Sequence, residues 1–312
     1  MIHRRDMLAA AAASAALPAV ARAQGSEAAP RFHALRVGAL PVTIVQDGTV
    51  LRPDVTRGLV VNAQPEQVAA ALSAGGVQGT RYDNPYNQTV VGTRSGLVLI
   101  DTGNGQGGAP GTGQMFAALR AAGLDPSAVT TVLFTHFHPD HVGGLLNADG
   151  SAAFPNAAIK VPAREWAYWN DSGEESRATE FRRPNFANAR RRFAPYAAKV
   201  EQFGAGAEVA SGITAVSTPG HSPGHTSFLV SDGPAQLMVI GDVVTAPPVF
   251  MANPEWYPPV DMDPTQAVAT RKALLDRVAA DRVPIIGYHF PLPATGQVER
   301  AGSGYRLVPG DP

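Results

Sequence analysis

The chain has 312 residues, 45% of them hydrophobic and 16% charged, enough to bury a sizeable core in one large domain or two small ones. A formal net charge of −1 gives no electrostatic reason to expect nucleic acid or an anionic membrane as a partner. With no cysteine, disulfides, thiolate metal sites and cysteine nucleophiles are excluded together.

His3-Arg4-Arg5-Asp6-Met7-Leu8 opens a basic segment, an Ala-rich apolar stretch runs to Val20, and Ala21-Arg22-Ala23 has the small-x-small form of a cleavage site. The apolar stretch is shorter than the ~20 residues that span a bilayer. Residues 1–23 are therefore read as a cleaved signal peptide, with paired arginines that suggest the twin-arginine route. A periplasmic or secreted protein without a stable membrane anchor is expected, with residues 24–312 as a single domain.

Phe32 to Val37 and Pro41 to Val45 read as strands closed by a turn at Asp47-Gly48. Asn62 to Leu72 reads as a helix. Thr89 to Val91 and Leu97 to Ile100 suggest a hairpin turning at Ser95-Gly96, and a Gly-rich rim loop from Gly103 to Gly113 leads to a helix over Gln114 to Ala122. This loop lacks the Lys-Ser/Thr ending of a phosphate-binding loop. Val129 to Phe134 is a further apolar run. Pro162 to Phe203 is read as mostly helical, is the most aromatic part of the chain, and contains the basic run Arg190-Arg191-Arg192, taken as a solvated helix face. Ile213 to Val216, Leu237 to Ile240 and Val283 to Ile286 read as strands. Asp263-Pro264 starts a helix with a capping carboxylate and a proline at its first position, with Val268, Leu274, Leu275 and Val278 as its expected buried face.

Thr135-His136-Phe137-His138-Pro139-Asp140-His141-Val142-Gly143-Gly144 places three imidazoles and a carboxylate within six residues. That is the donor set of a transition-metal site. His136 and His138 at a strand end can share one ion, while Asp140 and His141, followed by a turn at Gly143-Gly144, favour a second. Asp101, His136, His221, Asp242 and His289 each follow a short apolar run, the arrangement of loops at strand ends in an α/β active site.

The ordered set His136, His138, Asp140, His141, His221, Asp242 and His289, with Asp101 ahead of it, resembles the metallo-β-lactamase superfamily. The resemblance implies an αββα four-layer sandwich of two mixed sheets flanked by helices. It implies that His136, His138 and His221 hold one metal, that Asp140, His141 and His289 hold a second, and that Asp242 bridges them with a hydroxide. It places Asp101 and His225 behind the ligands, where they orient them. The Gly220 to Thr226 loop and the ending Gly302-Ser303-Gly304-Tyr305-Arg306-Leu307-Val308-Pro309 are similar to the branch that holds methyl parathion hydrolase and exported esterases and lactonases. In that comparison Trp169 and Phe186 fall at pocket positions, and Trp256 and Phe290 are further pocket candidates.

The reaction this implies is attack by the hydroxide on an ester, a lactone or an organophosphotriester, with Asp140 and Asp242 as catalytic carboxylates. The cofactor is two divalent ions, zinc foremost, with manganese, cobalt and iron as alternatives. The partner is a small-molecule substrate and not nucleic acid; whether the chain forms a homodimer is left open. The competing readings are a glyoxalase II-like thioesterase, a β-lactam hydrolase, and a diiron redox or binding protein on the same fold. The short C-terminal segment after His289, the retention of His141 and Asp242, and His138 in the second cluster position weigh against them in turn.

Overall fold

The computed structural model describes residues 31–312, so the export signal read at residues 1–23 lies outside the described residues. The first sheet runs β1 (Phe32–Val37), β2 (Leu40–Arg52), β3 (Tyr82–Thr93), β4 (Gly96–Ile100), β5 (Val129–Leu133), β6 (Ala158–Pro162) and β7 (Val200–Phe203), hydrogen-bonded in that order. Its first four strands are antiparallel and β4 to β7 are parallel. The second sheet contains β8 (Glu208–Ala210), β9 (Ile213–Ser217), β10 (Thr226–Asp232), β11 (Ala235–Val239), β12 (Ile285–Ile286), β13 (Thr295–Ala301) and β14 (Gly304–Pro309). It is antiparallel except where β11 meets β12.

Alternation along the strands builds two cores, because successive side chains point to opposite faces. In β4, Val98 and Ile100 join Ile44, Phe228, Val230 and Leu237 between the sheets. Leu99 faces the other way and joins Met115 and Leu119 of α2 (Met115–Ala121). The same outer cluster receives α4 (Ala163–Asn170) and α6 (Arg183–Phe193) through Trp169, Phe186 and Phe193. Across the second sheet, α8 (Pro264–Asp281) packs on β13, and α1 (Pro65–Ala74) packs on α7 (Pro247–Phe250). Two mixed sheets with helices outside make the expected αββα sandwich. The remaining helices, α3 (Pro139–Val142) and α5 (Ser172–Arg177), are short.

Three local expectations are corrected. Asp47-Gly48 is not a turn but a bulge inside the 13-residue β2, where the register with β3 shifts between Gln46 and Gly48. Gly143-Gly144 does not turn the chain either; it forms a 3-10 helix that continues α3. The glycines are needed for close approach, since a Cβ on Gly143 would lie 2.0 Å from the Asn104 carbonyl oxygen and one on Gly144 2.0 Å from that of Thr102. In α8, Asp263 caps the helix by accepting from the Gln266 amide at 3.0 Å, as expected, but the buried stripe is Ala267, Arg271, Leu274, Leu275 and Val278. Val268 is only half-buried. The stripe keeps helical spacing, and the charge on Arg271 hid its true start.

Candidate dinuclear metal centre

The polar residues arrive where strands end. Asp101 follows β4, His136 comes three residues after β5, His221 lies between β9 and β10, Asp242 follows β11 and His289 follows β12. Asp101 adopts φ +62°, a left-handed conformation that costs a non-glycine residue roughly 1–2 kcal/mol. That geometry turns its carboxylate back onto the next strand end. It accepts from the Thr135 amide at 2.9 Å, from Thr135 Oγ1 at 2.8 Å and from His141 Nδ1 at 2.9 Å.

The structure brings all seven expected ligands together. Nδ1 of His138 lies 2.9 Å from Nε2 of His136 and 3.0 Å from Nε2 of His221, so three ring nitrogens face one point. Asp140, His141 and His289 form a second group, with Asp140 Oδ2 3.6 Å from His141 Nε2 and 3.5 Å from His289 Nε2. Asp242 stands between the groups. Its Oδ1 is 3.4 Å from His141 Nε2, and its Oδ2 is 3.3 Å from His221 Nε2 and 3.2 Å from His289 Nε2.

Hydrogen bonds behind four of these imidazoles fix their tautomers. Nδ1 of His136 donates to Thr135 Oγ1 at 3.0 Å, because that hydroxyl already gives its own proton to Asp101. Nδ1 of His141 donates to Asp101, Nδ1 of His221 to Asp261 at 2.8 Å, and Nδ1 of His289 to the Pro85 carbonyl at 2.8 Å. In the neutral ring each Nε2 is then left as an inward-facing lone pair. Lone pairs directed at each other and at two carboxylates repel unless a cation lies among them. His141 Nε2 and Asp242 Oδ1 are moreover buried without any hydrogen-bond partner, which is costly for polar atoms. The donor set therefore fits two divalent cations.

Electrostatics agree. Burial, followed by the neighbouring imidazoles, pushes His136 and His138 well below the usual histidine range, so both are neutral and able to ligate. Burial also opposes protonation of His141, yet Asp242, Asp101 and Asp140 together hold it well above that range. Carboxylates that stabilise a proton there would also stabilise a metal ion. His225 is pushed down to about 3 by burial, with His221 adding to the effect. Its Nε2 accepts the Asp242 backbone amide at 3.1 Å and so orients Asp242. Gly241 makes room for this contact: its φ is +53°, and a Cβ would stand 2.7 Å from His225 Nε2.

Sequence reasoning missed three supporting groups. Glu165, at the start of α4, is fully buried and accepts four hydrogen bonds. Oε1 takes the Phe137 amide at 3.1 Å and Trp169 Nε1 at 2.6 Å; Oε2 takes Ser222 Oγ at 2.8 Å and the Gly224 amide at 2.7 Å. One carboxylate thus ties the His136–His141 loop to the His221 loop. Asp261 backs His221 and is itself paired with the buried Arg271 at 2.9 Å. Tyr288 stacks on His141 with ring centroids 3.8 Å apart, and its hydroxyl donates to the Asp140 carbonyl.

The metallo-beta-lactamase superfamily model matches residues 81–289, two thirds of the chain and every one of these ligands. The chain belongs to the metallo-β-lactamase superfamily. Among curated superfamily relatives, the N-acyl homoserine lactonase AttM of Azorhizobium caulinodans is 34% identical over 135 residues, which cover 39% of this chain and 45% of AttM. An N-acyl homoserine lactonase from a Bacillus species is 26% identical over 183 residues, covering 52% of this chain and 65% of that protein. The chain thus spans about half to two thirds of the length of these relatives. Among solved structures, AidC, a dizinc quorum-quenching lactonase with a product bound, superposes with a TM-score of 0.84 at 24% identity, covering 91% of this chain and 98% of AidC. At that identity the likeness establishes the fold. The hydrolase AbOPH of the β-lactamase superfamily superposes at 0.81 with 29% identity, covering 89% of this chain and 97% of that one.

Above the superfamily ligands lies a cavity of about 410 Å³, lined among others by His138, Asp140, His221, Asp242 and His289. Its remaining wall includes Leu59, Tyr86, Phe181, Arg182 and Pro258 to Val260. The four expected pocket aromatics do not line it. Trp169, Phe186 and Phe290 are 0% exposed and belong to the cores, and Trp256 is half-buried against the inter-sheet core. The physical reason is packing: the outer face of the first sheet needs large apolar side chains from α4 and α6, and Trp169 and Phe186 supply them. Trp169 still meets the site from beneath, edge-on to His138 with ring centroids 6.2 Å apart. Phe181, 74% exposed at the cavity rim, is the aromatic residue from this region that reaches the pocket.

Proposed function

We propose that the protein is a dinuclear metallohydrolase that cleaves carboxylic ester bonds, lactones foremost, with zinc as its native metal. One observation carries the reading: two groups of three metal-ligating side chains lie side by side with Asp242 between them, and His138, His221, Asp140, His289 and Asp242 open onto one cavity. His136, His138 and His221 would hold one ion, Asp140, His141 and His289 the other, and Asp242 both. Two such ions supply Lewis acidity and an ionised water near neutral pH.

The chain's own residues do the rest. Asp101, Asp261, Thr135 and the Pro85 carbonyl hold the imidazoles in their ligating tautomers. Of the two carboxylates that line the cavity, that of Asp140 is 25% exposed and that of Asp242 5%. Asp140 is placed to hand a proton to the leaving oxygen. Leu59, Phe181 and Pro258 to Val260 give the cavity an apolar side that fits an acyl or aryl group. The relatives named as N-acyl homoserine lactonases favour lactones within the ester class. We also propose that residues 1–23 direct export, for which a mature N-terminus at Gln24, read by mass spectrometry, is the check.

The test is a substrate panel on zinc-reconstituted protein: an aryl acetate, an N-acyl homoserine lactone, methyl paraoxon, nitrocefin and S-lactoylglutathione. Turnover of the acetate and the lactone, with two metals per chain, is expected. Turnover of nitrocefin or S-lactoylglutathione alone would overturn the reading.

A further inference from the structure

Two cations in the active-site cavity have no assigned task. Arg52, at the end of β2, and Arg182, just ahead of α6, both line it. Among the described residues, seven arginines make ion pairs with carboxylates, and neither of these two does so. Arg182 is half-buried, and among the described residues its one acceptor is the Asp261 carbonyl oxygen, 3.1 Å away. The cavity's acidic residues are Asp140 and Asp242. Both belong to the metal-binding groups, so neither is free to neutralise a guanidinium.

This charge pattern constrains the substrate. A ligand that fills a cavity of about 410 Å³ strips water from its walls. Desolvating Arg182 against an apolar group is unfavourable unless the ligand returns an acceptor. The planar fork of a guanidinium matches a carboxylate best, since two parallel hydrogen bonds form with full charge complementarity. The apolar wall at Leu59 and Phe181 can take the methylene chain that separates such a group from the ester.

We propose that the cavity selects monoanionic esters: substrates with a free carboxylate, held by Arg182 and Arg52, at the end remote from the ester that is cut. The proposal rests on the esterase reading above and adds to it the charge of the substrate. Phe181 at the rim and the residues that would hold the metals bound where the ester lies; Arg182 sets which acyl chains are accepted.

The test compares two esters with one leaving group and matched chain length, 4-nitrophenyl hydrogen glutarate and 4-nitrophenyl butyrate, on the zinc-loaded full chain. The quantity read is the ratio of their kcat/KM values. At low salt the wild type should favour the anionic ester by about tenfold or more, the worth of one charge-assisted hydrogen bond. The ratio should shrink as salt is raised. Arg182→Gln should cut it several-fold, leaving what Arg52 alone holds, and Arg182→Lys, which keeps the charge but not the fork, should retain part of it. Zinc content and thermal midpoint, measured on each variant, show that the comparison is between folded, loaded proteins. A wild-type ratio at or below one, or a ratio that Arg182→Gln leaves intact, overturns the proposal alone. Turnover of neither ester overturns the esterase reading and this proposal with it.

Discussion

Asp261 stands directly behind His221, its Oδ1 2.8 Å from Nδ1 of the imidazole, and its other oxygen is held by Arg271 at 2.9 Å. All three side chains are buried. Arg271 reaches further and donates to the carbonyl oxygens of Val243, Pro254 and Trp256. A single guanidinium on α8 therefore ties together the loop that carries Asp242, the segment from Pro254 to Asp261 that includes the cavity-lining Pro258 to Val260, and the His221 imidazole. The orientation of His221 depends on a chain of charge that begins well outside the metal centre.

Asp261→Ala should weaken metal binding without abolishing the fold. It leaves Nδ1 of His221 without its acceptor, frees the ring to turn, and leaves Arg271 partly unpaired. Losses of about 10- to 100-fold in metal affinity are usual when such a carboxylate is removed. Competition against a chromophoric chelator measures this, with near-UV circular dichroism as the check on folding. Wild-type affinity in a folded variant would show that Asp261 is only packing.

Glu165→Gln should destabilise the protein although it changes few atoms. The carboxylate accepts from four donors, two of them backbone amides of the loops that carry His136, His138 and His221. An amide group can accept at one end only, so its NH₂ must oppose at least one donor that cannot rotate away. Burying a donor unsatisfied costs about 1–3 kcal/mol. The thermal midpoint should fall by several degrees, on the scale of roughly 2–4 °C per kcal/mol for a chain of this size class. An unchanged midpoint would show that the four hydrogen bonds to Glu165 add no net stability.

The contrast between ligands and supports shows what a sequence can reveal. His136, His138, Asp140 and His141 are legible because several imidazoles and a carboxylate within one loop have few other uses. His221, Asp242 and His289 are legible because each follows an apolar run. Glu165 looks like any acidic residue in the first turn of a helix, and its role depends on two loops that only the fold brings near. Its spacing of four from Trp169 was the one local clue, since such residues share a helix face. Arg271 was hidden in an apolar stripe that it continues. For Trp169, Phe186 and Phe181 no periodicity separates core from pocket; which helix face meets the sheet decides it.

Phe181 and Phe186 should therefore behave oppositely. Phe186→Ala empties a fully buried site and should cost about 3–5 kcal/mol of stability. Phe181→Ala removes a side chain that is 74% exposed at the cavity rim, and its stability cost should stay within about 0.5 kcal/mol. KM for an apolar ester should instead rise. Urea unfolding and steady-state kinetics on the two variants settle the assignment. A large stability loss at Phe181, with KM unchanged, would return it to the core.

Asp242→Ala is the sharpest test of the two-metal reading. Its carboxylate oxygens lie 3.2 to 3.4 Å from the Nε2 atoms of His141, His221 and His289, so they reach both ligand groups at once. Without them, five imidazoles and Asp140 remain around two divalent charges, and the ions repel each other with one carboxylate fewer between them. The variant should hold one zinc or fewer per chain and lose roughly a hundredfold or more of its ester turnover. Metal analysis by mass spectrometry and assay at saturating zinc separate the two effects. His225→Ala is the companion: it removes the acceptor of the Asp242 amide but no ligand, so it should lower metal affinity while leaving two metals bound at saturation. Full activity of Asp242→Ala with a single bound ion would show that one metal group suffices and that the bridge is structural.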